Sequence, residues 1–300
     1  MNSKIEQRFF EHYLEYFKLA EDRRRWNLWK DVPWDKCNPN ASPLIADVVE
    51  AFSAVEMFLP DYTAKILQLI RKSRGRAWFQ ANWGYEESKH SLTLAEWLVR
   101  SGKRSEEGMR AYENALLDNA EWELPFDHPR QMIIYTMIQE LATWLNYWNL
   151  KALVESEGDF ALAKALHLIS ADEKTHYNFF RKGVKIFMDF EPAETLADLK
   201  YVFENFQMPA QTLIPGWDER AKQIRAAKIY GPREYITKVY QPILDDLGLT
   251  REELKAAGAP SDFVPKEERE VVLVNGNGAP YAATKVAATE VQSLPPQTRE

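Results

Sequence analysis

The sequence is poor in several things, and each shortage excludes a class of protein. There is one cysteine, Cys37, in 300 residues, so no internal disulfide framework exists and a reducing compartment is the expected setting. Only 12 residues are glycine, and runs alternating apolar with polar residues are scarce before residue 270. Both argue against a sheet protein and for an all-α chain. No stretch of 18 residues is both apolar and uncharged, so no membrane span is expected. The first residues, "MNSKIEQRFFEHYLEYF", are charged throughout and give no signal-peptide reading. Positive charge is also short, at 38 Lys plus Arg against 45 Asp plus Glu, net −7, which disfavours a nucleic-acid binder. These readings place the protein in the cytoplasm.

What is present is apolar mass: 45% hydrophobic residues, with 10 Trp, 13 Tyr and 15 Phe, enough for a sizeable core. Periodicity predicts a first helix over 3–25 and then an irregular Trp/Pro segment. Four long helices follow, over 44–73 with a kink at Pro60, 76–101, 128–156 and 159–189. A shorter helix over 104–121 joins the second to the third. Asp127 is the expected N-cap of the third, with Pro129 in its first turn, and the fourth also starts after an Asp. Short helices are expected over 194–206, 217–229 and 231–247. Residues 1–263 then form one helical domain. Residues 264–300 form a mostly irregular tail, with a small hairpin within 270–285 about an Asn-Gly pair.

Each long helix carries an apolar stripe at steps of three and four, and each stripe is interrupted by acid. The first reads Phe52, Glu56, Leu59; the second Trp83, Glu87, His90, Leu94. The third reads Thr136, Glu140, Thr143; the fourth Ile169, Glu173, His176, Phe180. A lone carboxylate buried in such a stripe costs several kcal/mol, and four together also repel. Cations among them remove both objections. The order supports this: a Glu helix precedes a Glu-x-x-His helix twice, the second acid standing 31 and then 33 positions after the first. One carboxylate from each of two helices and a Glu-x-x-His from each of two others form the di-metal constellation of ferritin-like four-helix bundles. Residues i and i+3 share a helix face, so both groups of a pair reach one site. Oxygen donors with two imidazoles suit iron or manganese. A single Glu-x-x-His is a weak signal when 30 of 300 residues are Glu; its place in mid-stripe gives it weight. His12, His128 and His167 have no Glu three residues earlier and read as structural or solvated.

The motifs "EMFLP", "EESKH", "QELAT" and "ADEKTH" resemble those of the soluble acyl-acyl carrier protein desaturases, over roughly residues 20–250. The resemblance implies a ferritin-like bundle with flanking helices. It implies two iron ions held by Glu56, Glu87, His90, Glu140, Glu173 and His176, with dioxygen as co-substrate. It further implies that Asp172 hydrogen-bonds His90, that Trp26 (by its offset from Pro33) lies on the electron path, and that Thr143 manages protons beside the iron. Implied partners are an acyl carrier protein, a ferredoxin-type donor and a second copy in a homodimer. The sequence departs from the family at Ser88, Lys89 and Ser91 around the first pair and at Thr175 and Tyr177 around the second. No ligand is touched by these departures, but acyl substrate and reaction outcome stay open. A di-iron oxygenase on another aliphatic substrate is the alternative, and a non-catalytic iron binder a further one. Trp83, Thr136, Met137, Trp144, Tyr147, Phe179 and Phe180 are available to line an acyl channel. The basic stretches 71–76, 103–104 and 220–228 are available to dock an acidic carrier.

Overall fold

In a computed structural model of the chain, residues 2–261 are described; the expected tail and its hairpin lie outside them. Among the described residues every regular element is helical. In chain order these are α1 (Ser3–Leu19), α2 (Leu28–Asp31), α3 (Pro43–Glu56), α4 (Leu59–Ile70), α5 (Arg74–Arg100) and α6 (Glu106–Asn119). They continue as α7 (Pro129–Ser156), α8 (Phe160–Phe190), α9 (Pro192–Asn205), α10 (Trp217–Ala226), α11 (Pro232–Glu234), α12 (Gln241–Leu247) and α13 (Arg251–Ala256). The bundle consists of α3 with α4, α5, α7 and α8; α7 lies along α8, and α5 packs on α3, α4 and α8. Across α5 and α8 lies α1, while α9 and a π-helical turn at Tyr235–Tyr240 cover α7.

The long helices fall where the periodicity puts them, with two corrections. The segment 44–73 is broken, not kinked: α3 ends at Glu56 and α4 begins at Leu59. The physical reason is Pro60, whose ring would clash with the carbonyl four residues back, that of Glu56. The Tyr62 hydroxyl donates to the Val55 carbonyl at 2.9 Å and ties the break together. Glu56 therefore closes a helix and does not sit in the middle of one. The second correction is the cap of α7, which is His128, whose Nδ1 accepts from the Arg130 amide at 3.2 Å, and not Asp127. At the start of α8, Asp159 caps as expected, accepting from the Leu162 amide at 2.8 Å. Its other oxygen accepts from Trp97 Nε1 and the Asn38 amide. One buried carboxylate thus pins α5, α8 and the irregular Trp/Pro segment.

Close approach of α1 to α5 depends on Gly75. A Cβ built there would meet the Phe9 backbone carbonyl at 2.5 Å, and backbone cannot swing aside. Gly75→Ala is expected to destabilise the fold by about 3 kcal/mol, the upper range for overpacking. Chemical denaturation reads this as a lower midpoint at unchanged slope.

Candidate metal centre

The stripes converge. Glu87 and His90 from α5, Glu173 and His176 from α8, Glu140 from α7 and Glu56 from the end of α3 all meet in the bundle's interior. None is more than 8% exposed. They form two quartets, Glu56/Glu87/His90/Glu173 and Glu87/Glu140/Glu173/His176. Within each, one ligand atom per residue lies within 4.8 Å of all the others. Glu87 and Glu173 belong to both quartets, so each can place one oxygen in either.

The donors face one another and satisfy one another only in part. His176 Nδ1 lies 2.9 Å from Glu87 Oε1 and 3.3 Å from Glu140 Oε2, yet these three atoms make no hydrogen bond. Both oxygens of Glu173 are likewise buried and unbonded. His90 Nδ1 is 2.9 Å from Glu87 Oε2 and 3.2 Å from Glu173 Oε1. Leaving such groups bare is costly. Burial, aided by the Glu87 charge, pushes the Glu56 carboxyl up to about 8. Burial, with the charges on Glu87 and Glu140, pushes Glu173 well above the ordinary range. Glu87, although burial opposes its charge, is held at about 2 by His90 and His176. Such a set of acids and imidazole nitrogens fits a pair of divalent ions.

The far nitrogen of each imidazole meets an acid. His90 Nε2 is 3.5 Å from Asp172 Oδ2, which accepts from Trp26 Nε1 at 2.7 Å. Lys89, buried against the Trp26 ring, comes within 3.7 Å of the same oxygen. So the departure at position 89 adds a cation behind His90 and leaves the ligands alone. His176 Nε2 is 2.8 Å from Glu86 Oε2. Glu86 in turn accepts from the Tyr16 hydroxyl and from Arg25, the latter at 2.5 Å. Burial opposes the charge on Glu86, but His176, Tyr16 and Arg24 hold its carboxyl down at about 2. Sequence reasoning missed Glu86, Tyr16 and Arg25. A signal for Glu86 exists: an acid directly precedes each Glu-x-x-His, in "EESKH" as in "ADEKTH". Such an arrangement fixes which imidazole nitrogen faces the ions. Two further bonds hold ligand candidates: Trp83 Nε1 donates to Glu140 Oε1 at 2.8 Å, and the Tyr147 hydroxyl donates to Glu56 Oε1 at 2.5 Å.

Beside the cluster lies a cavity of about 440 Å³ walled by Glu56, Glu87, Trp83, Thr143 and Tyr147. That size is ordinary for a small-molecule site. Phe52, Val55, Tyr62, Gln139 and Asn146 complete that side, and the opposite wall comes from residues 203–235, where Arg225 and Pro232 are exposed. Of the side chains nominated for a channel, Trp83 and Tyr147 line this cavity. Thr136, Phe179 and Phe180 instead line a separate, much smaller pocket. Met137 is buried in the core, and Trp144 stacks on Trp148. The basic stretches are also corrected in part. Arg76 is buried and paired with Glu6 at 2.8 Å, while Arg104 and Arg220 are both bound to Glu50. Arg71, Lys72, Arg74, Lys222, Arg225 and Lys228 are exposed.

An all-α bundle with carboxylate and imidazole groups gathered from four helices places the chain in the ferritin-like class. A family model described as "Fatty acid desaturase" matches residues 44–260, and the chain belongs to that family. It is 27% identical over 213 residues to the chloroplastic stearoyl-[acyl-carrier-protein] 9-desaturase of Simmondsia chinensis, covering 68% of this chain and 52% of that one. The chain thus spans about half the length of this plant relative. It is 26% identical over 261 residues to DesA1 of Mycobacterium tuberculosis, assigned by name to the acyl-[acyl-carrier-protein] desaturases, covering 78% and 75% of the two chains. Its fold is similar to that of DesA2 of the same organism, assigned by name to the acyl-ACP desaturases, at a TM-score of 0.61 and 18% identity over 84% of this chain and 98% of that one. An R2-like ligand-binding oxidase with a Mn/Fe cofactor gives 0.55 at 15% identity, over 81% and 94%. Among the described residues no helix is long and apolar enough to cross a membrane.

Proposed function

We propose that the protein is a di-iron, dioxygen-dependent desaturase acting on an acyl chain carried by acyl carrier protein. In this reading Glu56, Glu87, His90, Glu140, Glu173 and His176 are the iron ligands, with Glu87 and Glu173 shared. The observation that carries it is the pair of quartets beside a cavity whose wall includes Glu56 and Glu87. Bound there, the iron supplies the redox chemistry with dioxygen that unactivated C–H bonds require, and the protein supplies position and exclusion of water.

The residues around the cluster then have definite tasks. Asp172 and Glu86 accept from the outer imidazole nitrogens, which leaves each Nδ1 facing the ions. Trp26 is proposed as the entry for electrons, since its indole, Asp172 and His90 form a continuous polar path. Thr143 is proposed to pass protons, because its side chain stands on the cavity wall with Glu56 and Glu87. The cavity positions the acyl chain. Arg225 on its wall, with the exposed Lys228 three residues further along the chain, suits an acidic carrier protein. A ferredoxin-type donor and a homodimeric assembly, which the motif resemblance implies, and a cytoplasmic setting, expected from the sequence, complete the proposal.

The test is incubation of the iron-loaded protein with reduced ferredoxin and a panel of acyl carrier proteins, with products read by mass spectrometry. Loss of two hydrogens from one acyl chain is the expected result. Gain of oxygen assigns the protein to the hydroxylating alternative. No change in any acyl chain and no consumption of dioxygen sinks the catalytic reading.

A further inference from the structure

Tyr147 stands apart among the groups behind the cluster. Trp83 bonds a carboxylate from the middle of a helix, and Asp172 and Glu86 bond imidazoles. Tyr147 bonds Glu56, the ligand candidate at the end of its helix, beside the Met57–Phe58 break. Its hydroxyl donates to Glu56 Oε1 at 2.5 Å. The phenol is 1% exposed, and its ring meets Phe52 edge-on at 5.5 Å. It also forms part of the cavity wall. One residue therefore touches both a ligand candidate and the space beside the ions.

We propose that Tyr147 is a positioning residue that holds Glu56 to the ion through a single oxygen. With Oε1 bonded to the phenol, only Oε2 is free to act as a donor. Without the hydroxyl, no other hydrogen bond among the described residues holds Oε1 away from the ion, and both oxygens become available. Because the same ring walls the cavity, an occupant pressing on it bears directly on that bond. The inference rests on the reading of Glu56 as a ligand.

Ferrous iron alone, loaded anaerobically into the full chain, is the probe. Near-infrared magnetic circular dichroism reports the coordination number of each ferrous ion. Wild type and Tyr147→Phe are both expected to bind two ions per chain, with the bands of one ion in the variant moved to those of one added ligand. Tyr177→Phe is the matched control. It deletes a buried hydroxyl donating to Asp246 at 2.6 Å, away from the cluster, and is expected to leave the bands unmoved. Unchanged bands in Tyr147→Phe, or an equal shift in Tyr177→Phe, overturn the proposal while the metal reading stands. A crystal structure of the iron-loaded wild type provides a check that needs no variant: Oε1 on Tyr147 and Oε2 on iron is expected, and both oxygens on iron overturns it. Absence of iron from the wild type removes the underlying ligand reading as well.

Discussion

Glu140→Ala is expected to leave the helical content of the protein intact and to cost it at least one of its two bound ions, with loss of dioxygen reactivity. The more telling variant is Glu173→Gln, because its effect on stability reverses with metal. In the metal-free protein, burial and the neighbouring charges on Glu87 and Glu140 push the Glu173 carboxyl up. A group raised on folding contributes fully in acid and loses that contribution as pH rises toward its folded value. Near neutrality the metal-free wild type thus carries an unfavourable term, and glutamine, the shape of the protonated acid, does not. Metal-free Glu173→Gln is expected to be more stable than metal-free wild type by about 1–3 kcal/mol at pH 7, the range for relieving buried charge. The gain should shrink toward pH 4.5, the ordinary value for the group. With ferrous iron the order inverts, since an ion held at about a thousand times its Kd adds roughly 4 kcal/mol to whichever protein binds it. Thermal melts in chelator and in iron at two pH values check all three statements. A variant less stable than wild type in chelator at neutral pH contradicts the account of the cluster's electrostatics.

The second large effect concerns the cavity. Ala221 of α10 forms part of its wall, far in sequence from every ligand candidate. Ala221→Trp fills space without removing any bond, so stability should change by about 1 kcal/mol or less and iron content should not change. Turnover of acyl carrier protein is expected to fall on the order of a hundredfold, the scale of a small misplacement at a reacting centre. Full turnover in a variant whose cavity is demonstrably filled would show that the acyl chain lies elsewhere.

Much of the cluster is legible in sequence because acids in an apolar stripe are a periodic defect, and periodic defects survive without a structure. All six ligand candidates converge for that reason. Glu86 is written beside Glu87 yet lies a third of a turn off the stripe, so the periodic reading passes over it. Stripes also fail as guides on α7, which is buried around most of its circumference. No single face is marked there, and the channel candidates Met137 and Trp144 could not be sorted from Tyr147. The break between α3 and α4 follows from Pro60, but where it leaves Glu56 becomes clear only once the helix end is seen. The cavity's second wall comes from residues 203–235, where helices are short and their apolar spacing weak. Contacts that distant in sequence have no local signature.

The most direct measurement is metal analysis coupled to anomalous diffraction. Protein reconstituted anaerobically with ferrous iron should hold two ions per chain, one anomalous peak within Glu56/Glu87/His90/Glu173 and the other within Glu87/Glu140/Glu173/His176. Protein that takes up no transition metal, or that places its ions away from these side chains, contradicts the account at its root.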